Sequence, residues 1–399
     1  MKKIYVLLLI FLIFTSELSA QWIPVGQTSG LGGDIMSLLE YNGVLYAGGT
    51  AYLFRSSDEG VNWSGYLGPI AYAWSLVQSN GNIFCGLAYT AQTPGVYIST
   101  NNGLNWSITS LLNISIDAMT GSGSQVLASS MGQGKIYSTT NNGLNWTTIT
   151  TGLSGHLAIS GNRIYCAGSG LRVTTNNGAS WNIIHNSGGI SVVADDSLVI
   201  FGTQDGDIYR STNYGQTWTK TYSVSQAYVY SLYKYGSYIF AGTDSGFVVS
   251  TDGGLSFFNR NQNLGASRIT AIMVYNNYVY VANGNYAAVP VAVWRRQLAD
   301  VIGIKSISSQ VPSAYKLFQN YPNPFNPTTV FRFDLPVSSH TKLIIYDVIG
   351  REIKTLVNDK LNPGTYEVQW DGSGYSSGVY FYRLVTEGYQ ESKKMILNK

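Results

Sequence analysis

Two carboxyl groups at a set separation, one with a raised pKa, are the usual equipment of glycoside hydrolysis. Asp34 and Asp117, each at the entrance of a strand-like segment, are the pair in this chain that could be placed that way. The other acids read as turn residues. Asp205 and Asp207 in "QDGDIY" fall short of the roughly 6–8 oxygen ligands that calcium takes, and Asp195-Asp196 fills the slot that Asn80-Gly81 fills elsewhere. His156 and His185 have no Cys or His at metal-ligand spacing, so both read as structural histidines and no metal is expected. There is no serine elbow, phosphate loop or H-x-x-x-H, and Gly121-Ser-Gly123 lacks a following helix, so no cofactor is expected either. Binding chemistry is better represented. Tyr72 and Trp74 in "AYAW" and Tyr228 and Tyr230 in "AYVY" occupy equivalent positions in two units, where aromatic faces could stack on a sugar or anchor a protein. Tyr89 and Tyr286 add to the same stock.

The elements that would position these residues are all strands. Gly at 44, Tyr at 30 and only 11% charged residues favour β-structure rich in tight turns. The 24 basic residues against 21 acidic leave no electrostatic footprint for nucleic acid. Lys2-Lys3, the apolar run Ile4 to Phe14 and the small polar finish at Ala20 have the layout of a secretory signal peptide over 1–20. No Cys follows Ala20, so no N-terminal lipid anchor is expected, and no later segment is apolar enough for a membrane helix. Cys85 in "NIFCGLA" and Cys166 in "RIYCAGS" align with Ala47 and Ala241, so both read as buried free thiols in a small-residue strand position.

One octet recurs six times: Ser56 to Trp63, Ser99 to Trp106, Thr139 to Trp146, Thr174 to Trp181, Ser211 to Trp218 and Ser250 to Phe257. Its glycines, Gly60, Gly103, Gly143, Gly178, Gly215 and Gly254, are 43, 40, 35, 37 and 39 residues apart. A period near 40 with only strands between turns is the length of a four-stranded propeller blade. The octet suits a turn: Asp58, Asn101, Asn141, Asn176, Asn213 or Asp252 can fold onto nearby amides. The glycine supplies a positive φ, and Trp63, Trp106, Trp146, Trp181, Trp218 or Phe257 covers the hairpin. After the sixth octet three strands remain without a fourth, and Gln21-Trp-Ile-Pro-Val25 starts at a Trp as the fourth strands do. It should complete a seventh blade and close the ring.

These residues resemble the Asp-box, or BNR, repeat S-x-D-x-G-x-x-W of sialidases, sortilin-type receptors and photosystem II assembly factors, over about residues 21–298. Four copies carry Asn where that repeat prefers Asp. The resemblance raises the possibility of sialidase-like chemistry, which implies three arginines, a Tyr nucleophile with a Glu partner, and an Asp acid. Between 21 and 298 the sole Glu residues are Glu40 and Glu59, Glu59 lies inside the first octet, and no Arg-Ile-Pro motif precedes the repeats.

Residues 299–316 lose the repeat and read as a linker. From Leu317 to Lys399, "LFQNYPNPFNPTTVFRFDLP" holds an extended, proline-fixed path and alternating strands follow, which fits a small Ig-like β-sandwich. "NYPNPFNPTT", "YDVIGREIKTL", "GTYEVQWDG", "SGVYFYRL" and the terminal "KKMILNK" resemble the type A C-terminal sorting domain of the type IX secretion system. That resemblance implies the secretion machinery as a partner, passage through the periplasm, and a surface or secreted destination.

The expectation is an all-β chain: a seven-bladed β-propeller followed by an Ig-like sandwich. Its expected role is that of an exported, non-enzymatic module for a glycan or protein, with a glycoside hydrolase as the alternative.

Overall fold

The computed structural model describes residues 21–26, 31, 33–50, 52–65, 72–88, 93–225, 227–265, 268–285, 292–308, 311–361 and 363–399. The expected signal peptide, Tyr89 and Tyr286 lie outside them. Among the described residues no helix is long and apolar enough to cross a membrane.

Each unit of the repeat folds as a four-stranded antiparallel meander. The second is typical: Ala73–Ser79, Asn82–Leu87, Gly95–Ser99 and Ser107–Leu112, paired in chain order. Asn80 and Gly81 both take positive φ, 47° and 76°, as a two-residue hairpin between right-twisted strands requires. Six such sheets are sequential in the chain, and the seventh is not. There Ile269–Tyr275, Tyr278–Asn283 and Val293–Gln297 receive the N-terminal Ile23–Val25 as their outer strand, with Ile23 opposite Arg295 and Val25 opposite Val293. Seven blades therefore close into a ring, as read from Gln21-Trp-Ile-Pro-Val25. Trp22, 3% exposed, sets its indole edge-on to Phe247 at 5.2 Å and donates to the Arg260 carbonyl at 2.6 Å.

The core is divided among the gaps between blades. Tyr46 and Cys85 pack between blades 1 and 2, Phe84 and Val126 between 2 and 3, and Leu127 and Cys166 between 3 and 4. Tyr165 and Phe201 fill the gap between 4 and 5, and Ile208 and Ile239 that between 5 and 6. Both cysteines are free and buried; burial alone raises the Cys85 thiol, and burial pushes that of Cys166 up to about 12.

The octet forms one turn six times over. The Ser or Thr hydroxyl at its first position accepts from the glycine N–H at 2.8–3.1 Å, as in Ser99 with Gly103 and Thr139 with Gly143. The Asp carboxylate or Asn carboxamide oxygen at the third accepts from the seventh residue's N–H, as Asn101 does from Asn105 at 2.9 Å and Asp252 from Ser256 at 3.0 Å. The fourth residue is left-handed as well as the glycine, Asn102 at φ 53° and Gly103 at 70°. The first-position hydroxyl and the fourth-position φ are parts of this turn that the pattern alone did not single out. The fourth residue's carbonyl then ties blade to blade: Tyr46 donates to Asn102 O at 2.7 Å, Tyr280 to Glu59 O at 3.0 Å, and Arg210 to Gly253 O at 2.8 Å. The indole N–H reaches the octet's own carbonyl in Trp63 and Trp106, the Ile184 carbonyl from Trp218, and the Thr109 hydroxyl from Trp146.

The C-terminal domain is two four-stranded sheets face to face. One is ordered Ile304–Ser308, Gly364–Asp371, Thr328–Leu335, Lys316–Leu317; the other is Glu352–Leu361, Ser339–Tyr346, Gly378–Val385, Gln390–Leu397. Phe331, Phe333, Trp370, Tyr382 and Met395 fill the space between them. The proline-rich entry is pinned by Asn320, 2% exposed. Its amide donates to Thr329 Oγ1 and the Pro322 carbonyl, and its backbone N–H donates to the Tyr382 hydroxyl. Within 299–316, expected as a linker, the described residues include regular elements. A helical turn, Leu298–Val301, ends the propeller, and Ile304–Ser308 pairs antiparallel with Gly364–Asp371 as an edge strand of the sandwich. A five-residue strand with a single partner carries too little pattern to be told from a connector.

Candidate binding site at the channel mouth

The innermost strands of all seven blades converge on an axial cavity of about 220 Å³. Its wall includes Met36, Trp74, Asp117, His156, Ser191, Tyr230 and Thr270, one from each blade in order. A bulge aims many of them. The innermost strand of blade 1 skips Met36 in its register with the second strand, and Trp74, Ile190, Tyr230 and Thr270 are skipped likewise in blades 2, 5, 6 and 7. An extra residue unpaired in the ladder turns its side chain out of the blade. Blades 3 and 4 run without this bulge, and there Asp117 and His156 reach the wall.

The two faces of the ring carry different equipment. Octets and first hairpins share one face, where Asn42 donates to the Asn102 side chain and Asn80 to that of Asn142. The sandwich also sits there: Lys354 of its Glu352–Leu361 strand meets Asp252 of the sixth octet. The opposite face holds the entrances to the innermost strands. Asp244, in the loop between the second and third strands of blade 6, accepts from the Tyr228 N–H at 3.0 Å, and Asp117 accepts from the Met131 N–H at 2.6 Å.

The four aromatic candidates separate into two kinds. Trp74 and Tyr230 line the channel. Tyr72 and Tyr228, two residues earlier, stand outside its wall, a correction to their placement beside the channel; Tyr72 holds φ 59° and Tyr228 is 44% exposed. Tyr228 and Tyr230 are close, with ring centroids 5.5 Å apart. Burial and the neighbouring Asp244 carboxylate push the Tyr230 phenol up to about 12.

The acidic pair is not brought together as a pair. Asp117 lines the channel, where burial raises its pKa against the pull of the Met131 N–H. Asp34 is not part of that wall; it lies close enough to Arg268 to act on it electrostatically, and its backbone is held by Thr50. Strand entrances recur in every blade, so position along the chain could not tell which acids share a wall.

Both histidines are placed by packing. His185 lies against Tyr209, Phe201 and Trp218 at 4.3–5.5 Å and accepts from the Ser187 N–H. His156 faces the channel, and burial lowers it to about 4, so its imidazole is neutral near pH 7. Asp207 is held by Lys220, Ser223 and Tyr209, all near the turn it closes. Among the described residues no group of three His, Cys, Asp or Glu could hold a metal.

Two residues of this mouth were not candidates from sequence. Arg268 places its guanidinium 5.3 Å from the Tyr230 ring centroid and donates from Nε to Asp244 Oδ1 at 3.0 Å. Asp244 sits in a loop and Arg268 at a strand entrance 24 residues on, and only the closing of blade 6 against blade 7 joins them.

Known structures with similar folds are propellers. PorZ, an essential bacterial surface component of the type IX secretion system of Porphyromonas gingivalis, aligns at 13% identity with a TM-score of 0.56. The alignment covers 92% of this chain and 60% of that one, so this chain spans less than two thirds of the PorZ structure. YCF48 from Cyanidioschyzon merolae aligns at 13% identity and TM-score 0.53, over 69% of this chain and 98% of its own. A GH74 xyloglucanase from Xanthomonas campestris aligns at 13% identity and TM-score 0.55, over 79% and 59%. At such identities the likeness concerns the fold. No curated protein matches the chain. Residues 319–398 match the family model described as the secretion system C-terminal sorting domain, so a β-propeller is joined here to a type IX sorting domain.

Proposed function

We propose that this chain is exported through the type IX pathway and works at the cell surface or outside the cell as a non-enzymatic binding module. Its ligand, a glycan or a protein, is taken at the channel mouth. One observation carries the reading: the mouth that presents Trp74 and Tyr230 lies on the face opposite the sandwich, so the sorting domain leaves it accessible. The recurring turn supports reading the octets as Asp-boxes that serve the scaffold, since their side chains bond within the turn and to the neighbouring blade. A glycan array together with a turnover screen tests the binding reading; Trp74→Ala and Tyr230→Ala should abolish retention, with no release of reducing ends by the parent chain. Deleting residues 317–399 should leave the propeller in the periplasm, and normal surface display of the truncated chain refutes the export route.

The alternative is a glycoside hydrolase. It is favoured by Asp117, an acid with a raised pKa in the channel wall, on a fold that a xyloglucanase shares. Hydrolysis that disappears in Asp117→Asn would overturn the binding reading.

A further inference from the structure

The rim between blades 6 and 7 is organised around one carboxylate. Asp244 Oδ2 accepts from the Tyr228 N–H at 3.0 Å, and its Oδ1 accepts from Arg268 Nε at 3.0 Å. The guanidinium lies over the Tyr230 ring, and that ring is 5.5 Å from Tyr228 at an angle of 40°. One half-buried carboxylate therefore engages a backbone N–H and a guanidinium, with two rings beside them; the Asp244 side chain is 26% exposed, Arg268 43%. What remains outward is specific. Tyr228 shows an aromatic face, and Arg268, 43% exposed with Nε engaged by Asp244, carries two terminal nitrogens that are donors in the guanidinium plane.

An aromatic face beside planar donors suits the ring C–H groups and hydroxyls of a sugar. The charge balance narrows the class. Among the described residues Asp244 bonds to Arg268 and Asp34 also acts on it electrostatically, so a ligand carboxylate arriving at this cation would meet two carboxylates already sharing it. We propose that Tyr228, Arg268 and Asp244 form a subsite for one neutral pyranose residue of a glycan chain entering the channel mouth: Tyr228 stacks on the sugar, Arg268 donates to its oxygens, and Asp244 positions both. This rests on the binding reading above and goes beyond it by naming ligand class and place.

The test uses the full mature chain, cellohexaose and xyloglucan oligosaccharide as neutral probes, hexagalacturonate as the acidic one, and titration calorimetry. A neutral probe should bind, and hexagalacturonate at least tenfold more weakly. Tyr228→Ala should lower neutral-probe affinity at least tenfold and Arg268→Gln at least fivefold. Asp244→Asn, which keeps an acceptor but removes the charge holding the guanidinium, should weaken it and narrow the gap between neutral and acidic probes. Tyr321→Ala, on the exposed sandwich surface, should bind like the parent, and melting curves should show the mouth variants folded. Parent-like binding by Tyr228→Ala and Arg268→Gln, while Trp74→Ala abolishes it, sinks the subsite and spares the channel reading. Tighter binding of hexagalacturonate overturns the neutral assignment. Capture of a protein partner with no affinity for either neutral probe overturns the subsite in favour of a protein ligand.

Discussion

Lys354 Nζ lies 2.8 Å from Asp252 Oδ2, joining a strand of the sandwich to the octet turn of blade 6. Both side chains are mostly buried, 23% and 10% exposed. Burial opposes ionisation of Asp252, but bonds from Lys354, Ser256 and Ser250 outweigh it and hold the carboxyl down at about 2. The sixth octet thus does two jobs: it shapes its own hairpin and receives the second domain.

Because the folded pKa of Asp252 is depressed, its ionic contribution is present above the unfolded value near 4 and fades as pH falls toward 2. The contribution amounts to about 2 kcal/mol. Melting curves from pH 5 to pH 2 should fall more steeply for the parent than for Asp252→Asn. That variant should still form the octet turn, since four octets use Asn already. Lys354→Met, which removes the cation and leaves the carboxylate buried, should destabilise by about 1–3 kcal/mol at pH 7.

Protonation of His156 sets a second, separate window. Burial depresses it to about 4, so the stability held by its neutral form is complete above about pH 6.5 and is lost as pH falls toward 4. His156→Gln should flatten the melting temperature between pH 6.5 and 4.5 while leaving the drop below pH 4 in place.

Gly103→Ala should cost more than its backbone angle alone. The residue holds φ 70°, and an added Cβ would come within 2.5 Å of Tyr46 Cε1 in the preceding blade. Denaturant melts should show a loss of about 2–3 kcal/mol. Gly123→Ala, at φ 58° with open space around it, should lose about 1 kcal/mol.

Ring closure can be probed through Trp22. Its removal empties the site against Phe247 and leaves the Arg260 carbonyl without its indole donor, so Trp22→Ala should cost about 3–5 kcal/mol. Deleting residues 21–26 should lower the melting temperature further and broaden the transition; an unchanged curve would refute the closure.

The scaffold was legible because its information is local. An octet whose Asx, Gly and Trp each have a turn role repeats at blade length, and a Trp-led N-terminal strand matches three strands lacking a fourth. The mouth was legible in part: Trp74 and Tyr230 were named from matching positions in two units. Asp244 and Arg268 were not, because their partnership exists only across two blades. The bulges also left no mark, since one extra residue in an innermost strand looks like any other strand residue. Ile304–Ser308 was missed for a similar reason, its partner Gly364–Asp371 lying some sixty residues away.

The bulges have a consequence for how a ligand is oriented. A ring of seven alike blades would offer seven equivalent ways to seat a guest. Five blades carry a bulge in the innermost strand, and four of the skipped residues, Met36, Trp74, Tyr230 and Thr270, line the channel, while two neighbours, blades 3 and 4, present Asp117 and His156 from unbulged strands. The mouth therefore has one arc of Asp117, His156 and Ser191 and another that runs Tyr230, Thr270, Met36 and Trp74, and a chain-like ligand crossing it meets a compass bearing rather than a rosette.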